Sequence, residues 1–129
     1  MFMLNRHDTR EKIVFALYQH LLLKKDINAC FDNNFELDDL DDYIRNIRQD
    51  VIDNKEKYID EISGHLVKWS FDRLNLVDQA ILLEATSEIK LNLNEKAVII
   101  DEAIILAKQY CDEESYKYIN GVLDKICMN

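Results

Sequence analysis

The sequence predicts an all-α fold, and three observations carry that expectation. The 129-residue chain has no proline and only two glycines, Gly64 and Gly121. A β-rich fold needs turn residues that this chain hardly has, whereas helices joined by short polar links need few. Apolar residues also recur at intervals of three and four along most of the chain. Finally, residues 97–110 read AVIIDEAIILAKQY, apolar on nearly every side. Such a helix must be surrounded by protein, so it and the helix after it are expected to form the buried axle.

The elements follow in order. Helix one runs from Asn5 to about Leu23. Asn5 is a good N-cap, Asp8 and Glu11 suit the first turns, and Val14, Leu17, Tyr18 and Leu21 face inward. Residues 26–37, DINACFDNNFEL, read as a connection. Helix two starts near Asp38, with Leu40, Tyr43, Ile44, Ile47, Val51 and Ile52 as its core stripe. Helix three spans about Lys55 to Trp69, with Ile59, Ile62, Leu66 and Trp69 inward. Helix four runs from near Asn75 to about Lys90, with Val77, Ile81, Ala85 and Ile89 at intervals of four. Asn94 caps helix five. Helix six covers about Glu114 to Cys127, with Ile119, Val122, Leu123 and Ile126 inward. No linker is long enough to divide the chain, so residues 1–129 are expected to form one domain.

Composition excludes several classes. No stretch approaches the ~20 apolar residues of a membrane span. The start, MFMLNRHDTR, lacks the layout of a secretory signal, and three cysteines without CxxC spacing read as free thiols in a reducing cytoplasm. The net charge is −9, which argues against a general nucleic-acid coat, but it is unevenly spread. Residues 1–25 hold five basic groups against two acidic ones, a local charge of +3. Residues 26–63 stand at −8 and residues 64–129 at −4. A basic end on an acidic body suits one anionic and one cationic partner. His7, His20 and His65 lie in different elements, and no nucleophile–base signature is present, so no catalytic residue is expected. The run Asp38-Asp39-Leu40-Asp41-Asp42 lacks the glycine and terminal glutamate of a calcium loop, so no metal or other cofactor is expected.

Two stretches carry a family resemblance. DEAIILAK followed by ESYKYINGVLDKI near the carboxyl end, and REKIVFALY at residues 10–18, resemble motifs of the NusB family of bacterial transcription antitermination factors. Their order and separation also match. The resemblance implies two small helical bundles packed into one domain, with about six to seven helices. It implies binding to boxA-type RNA of ribosomal RNA leader transcripts. It also implies a protein partner, the small-subunit ribosomal protein NusE, within the RNA polymerase antitermination complex.

The resemblance further implies roles for particular residues. Arg6 and Arg10, four apart on one helix face, correspond to a basic arm that contacts RNA. His7, Asp8 and Thr9 stand between them, so the arm is less cationic than is usual in the family. Arg10→Ala is expected to weaken RNA binding and its salt dependence without loss of helicity. Glu114, Lys117 and Tyr118, with Tyr110 nearby, match positions near RNA, where aromatic faces and a few polar groups hold unstacked bases. Tyr18, Asp72 and Asp78 match the partner surface, where carboxylates would receive arginines of a basic protein. An alternative is a protein-interaction module with little intrinsic RNA affinity. The apolar face of helix one could also serve a homodimer. Two departures from the family stand out. Cys111 takes the place of a glycine suited to a left-handed helix end, and Asn94-Glu95 replaces the proline before helix five. Gly121, inside helix six, costs about 1 kcal/mol relative to alanine, offset by close packing against helix five.

Overall fold

A computed structural model describes residues 4–128. Six α-helices follow one another: α1 (Arg6–Leu23), α2 (Ile27–Asn34), α3 (Asp42–Ser63), α4 (Leu76–Leu91), α5 (Lys96–Tyr110) and α6 (Glu113–Cys127). Two short 3₁₀ turns, Leu37–Asp39 and Phe71–Arg73, precede α3 and α4. No strand occurs among the described residues. The all-α expectation and the helix count hold, but two elements differ from their expected form.

Residues 26–37 are not a plain connection. Asp26 caps α2 by accepting from the Ala29 N–H, and Ile27, Cys30 and Phe31 bury one side of this short helix. Their spacing of three and four was present in the sequence, masked by the aspartates and asparagines around it. The expected second and third helices are one helix, α3. Asp41 caps it through the Ile44 N–H at 2.9 Å, and it ends at Ser63 rather than Trp69. Residues 65–70 therefore form an irregular segment, and Trp69 is 54% exposed instead of inward.

The axle is also not where the sequence put it. Twelve consecutive residues of α4, from Asp78 to Ile89, are buried, whereas α5 leaves Asp101, Ile105 and Lys108 in solvent. Helix α4 packs against α1, α3, α5 and α6, while α2 packs on α1 and α3 and α5 pairs with α6. Helix α4 is thus shared by both small bundles, within one continuous apolar cluster.

The polar residues of α4 concealed its position, because most of the buried ones meet a partner inside the protein; the Thr86 hydroxyl has none among the described residues. Arg10 of α1 is 2% exposed and grips Glu88 with two hydrogen bonds of 2.8 and 3.0 Å. The Tyr43 hydroxyl donates to Glu84 at 3.5 Å. Asp50 of α3 accepts from Ser87 at 2.7 Å and from Tyr58 at 2.8 Å. Buried polar groups are tolerable when satisfied in this way.

Burial would favour the neutral form of Arg10, but the Glu88 hydrogen bond and the surrounding charges outweigh it and push its pKa up. Burial, followed by the nearby Glu88 charge, holds the Glu84 carboxyl well above the usual carboxylate range. The Glu84 carboxyl thus favours its proton, which limits the charge buried beside Arg10.

The helix ends correct two local expectations. Left-handed backbone occurs at Lys24 and Asn92, both with φ of 56°, and not at Cys111, whose φ is −123°. Cysteine is unstrained there. Gly121 does not pack closely against α5, since a Cβ built on it meets no atom within 4 Å. Asn94 accepts from the Glu95 N–H at 2.8 Å and so shapes the entry to α5, while Glu95 holds the N-cap position.

Candidate nucleic-acid interface

The sequence-predicted residues separate into three places. The first is the amino end of α1. Asn5 accepts from the Asp8 N–H at 2.8 Å and starts the helix. Arg6 is exposed, with its guanidinium carbon 3.6 Å from the centre of the Tyr43 ring. Asp41 lies 3.9 Å from Arg6 Nη1, too loose and too wet a pair to fix it strongly. The aromatic stack gives Arg6 a platform while its charge stays in solvent. Arg10 differs. It was expected beside Arg6 on the RNA-facing arm, but it is a core residue consumed by Glu88. One face of a helix does not fix exposure when a partner 78 residues away claims the second position.

The second place is the flank of α6. Residues 114, 117, 118, 121, 122 and 125 recur at helical spacing and form one wall of a groove of about 380 Å³. The opposite wall is the irregular segment of residues 65–69. Lys68, Lys117 and Lys125 bring three ammonium groups to this groove, and Trp69 brings a half-exposed indole. Val67, 89% exposed, stands at its lip, and the open backbone of Gly121 lies in the α6 wall. Glu114 and Tyr118 line it as expected. The sequence reading missed Trp69 and Lys68, because continuing the helical period past Ser63 assigned Trp69 to the core. Gly64, a possible helix stop, was the available signal.

Tyr118 is anchored from behind. Its hydroxyl donates to Asp78, as does that of Ser115 at 2.9 Å. Burial, then the Asp78 bond, pushes the Tyr118 pKa up, so the phenol stays protonated. Asp112 caps α6 through the Ser115 N–H at 3.1 Å and also accepts from the Ser115 hydroxyl. A carboxylate of α4 thus fixes the first turn of α6 and the aromatic ring that faces the groove. Tyr110 lies elsewhere: its hydroxyl donates to Glu11 at 2.7 Å, and its ring meets Phe15 edge-on, joining α5 to α1.

The third place is the expected partner surface. Tyr18 is half-buried on α1, and Leu22, one turn later, is exposed. Asp72 is exposed in the turn before α4. Asp78, expected to receive a partner's arginine beside Asp72, is 1% exposed and already holds Ser115 and Tyr118. Asp72 and Asp78 therefore do not form a joint acidic surface. Among the described residues no group of three or more His, Cys, Asp or Glu could hold a metal ion, and no helix is long and apolar enough to cross a membrane.

Comparison with known proteins places this geometry in context. Residues 7–127 match the model of the NusB family. A transcription antitermination protein NusB of Sulfurovum sp. (strain NBC37-1) is 37% identical, over 96% of this chain and 98% of that protein. The NusB of Listeria innocua serovar 6a is 38% identical, over 95% and 96%. The solved structure of T. maritima NusB has a TM-score of 0.89 and 31% identity, covering 99% of this chain and 94% of that one. A structure of antitermination factors NusB and NusE in complex with dsRNA has a TM-score of 0.82 and 23% identity, covering 95% and 96%. At that identity the likeness is one of fold.

Proposed function

Because the chain belongs to the NusB family, we propose that it acts as a transcription antitermination factor. It binds a single-stranded boxA-type RNA of ribosomal RNA leader transcripts together with NusE, and presents both to RNA polymerase. The observation that carries this reading is the α6 groove. On a chain of net charge −9, three lysines converge on a concavity that also offers an exposed indole and a tyrosine. Unpaired bases are held by aromatic faces and their backbone by cations. Lys117 and Tyr118 keep their expected RNA roles in this account. Glu114 sits at the rim as a negative discriminator, and Arg6 supplies a separate cationic contact. Arg10 supports the arm from inside the core.

NusE is assigned to Tyr18 of α1, with the exposed Leu22 one turn later, and to the exposed Asp72 before α4. Asp78 acts behind Tyr118 rather than toward NusE. The role is one of binding, in the cytoplasm, with no chemical step. The titration that tests the reading uses fluorescent boxA RNA with and without NusE. Binding that requires or is strengthened by NusE, and that weakens in Lys117→Ala, supports it. RNA affinity indistinguishable from that for an unrelated RNA, in both conditions, would exclude it.

A second reading has its own observation. Arg10 is sequestered by Glu88, which removes half of the expected arm. A module that mainly docks NusE, with weak intrinsic RNA affinity, fits that loss. NusE capture without RNA binding, in the same titration, favours it.

A further inference from the structure

A second concavity flanks the same helix. Asp101, Ile104, Ile105 and Lys108 of α5 face Tyr116, Lys117 and Asn120 of α6 across a groove of about 630 Å³. That volume lies within the range of small-molecule sites, about 300–1,000 Å³. Ile104 and Ile105 give it an apolar portion, and Ile105 is 47% exposed. The Lys108 ammonium lies 5.2 Å from the centre of the Tyr116 ring, a cation held over an aromatic face across the two helices. Lys117 belongs to both grooves, so it stands on the ridge between them.

We infer that the α5–α6 groove is a second nucleotide subsite, into which the RNA strand continues from the first groove by crossing Lys117. This rests on the RNA-binding reading above and extends it to residues outside the expected site. Three features select RNA as the occupant. The two grooves share a cation at their junction, where a phosphate linking two nucleotides would lie. Two lysines flank the second groove against one carboxylate, Asp101, so its rim favours an anion. Tyr116 and the two isoleucines give an unstacked base an apolar surface, and the amide of Asn120, with Asp101, can meet its polar edge. Lys108 and Lys117 carry the phosphates and Tyr116 the base.

The test uses the full chain with NusE and two fluorescein-labelled single-stranded RNAs, a minimal boxA sequence and the same sequence extended by a few nucleotides at each end. The variants are Lys108→Ala, Tyr116→Leu and Lys117→Ala, each with a thermal melt to establish folding. Lys108 is exposed, so its truncation leaves the core intact. The expected result is that the extended RNA binds more tightly than the minimal one. Lys108→Ala then removes that gain, with a loss of about fivefold and a salt slope lower by about 0.7, as for one phosphate contact. It leaves the minimal RNA unaffected. Tyr116→Leu reduces the same gain without changing the salt slope.

If Lys117→Ala weakens both RNAs while Lys108→Ala binds the extended one like the parent, the second subsite is wrong and the RNA-binding reading stands. If neither RNA binds the parent protein, both fall together. If Lys108→Ala loses NusE and keeps its RNA affinity, the groove is a protein-docking surface and the inference is overturned.

Discussion

Arg10 shows how a motif position can match while its role changes. Its sequence neighbours place it on a basic helical arm, yet Glu88 draws it into the core. Removing one partner of a buried ion pair leaves the other charge uncompensated, at a cost of about 3–5 kcal/mol. Arg10→Ala should therefore lower the urea midpoint sharply, and RNA affinity should fall only as far as folding does. A folded, fully stable Arg10→Ala protein with weakened RNA binding would restore the original expectation for the arm. Glu84 offers a pH test at the same scale. Its carboxyl ordinarily titrates near 4.5, and burial raises it well above that in the folded state. The folded protein then holds a proton that the unfolded chain releases, so stability falls as pH rises above about 4.5, up to the folded pKa. Glu84→Gln mimics the protonated form. Its stability relative to the parent should increase between pH 5 and pH 8 in urea melts. A constant difference across that range would show that Glu84 does not carry the proton.

At the level of elements, much of the fold was legible because helices advertise themselves by caps and spacing. Asn5 marked α1, and the stripe Ile119, Val122, Leu123 and Ile126 marked α6. What could not be read was tertiary. The α4 helix is the axle although it carries Asp78, Glu84, Ser87 and Glu88, because its partners come from α1, α3 and α6. The α5 helix is more uniformly apolar and yet peripheral. Trp69 was misplaced because a period continued past Gly64 predicts helix where the chain turns irregular. Gly121 gives a prediction here. It lies in a helix interior with open space where a Cβ would be, so Gly121→Ala should stabilise the fold by about 0.5–1 kcal/mol. If the α6 groove receives RNA, the same methyl group should weaken RNA binding while raising the melting temperature. A lower melting temperature would mean that the glycine is there for packing after all.

The whole molecule separates its charges between surfaces. An acidic body repels polyanions at long range, so the proposed RNA capture would rely on local cations and on NusE to hold the complex together. Asp72→Lys should weaken NusE capture and slow its association at low salt, while direct binding of RNA changes little, because rim charges act mainly on encounter. Equal NusE association rates for Asp72→Lys and the parent protein would move the partner surface elsewhere. The proposed division into a buried α4, an RNA-facing α6 and a partner-facing α1 makes one physical demand. The strand must lie against the wall formed by residues 65–69 and α6. Ultraviolet crosslinking of boxA RNA to the NusE-bound protein, with the modified peptides sequenced, reads that contact directly. The account predicts crosslinks at Trp69 and at the α6 peptide containing Tyr118, suppressed by excess unlabelled boxA RNA. Efficient crosslinks confined to other helices, with Trp69 and Tyr118 unmodified, would contradict it.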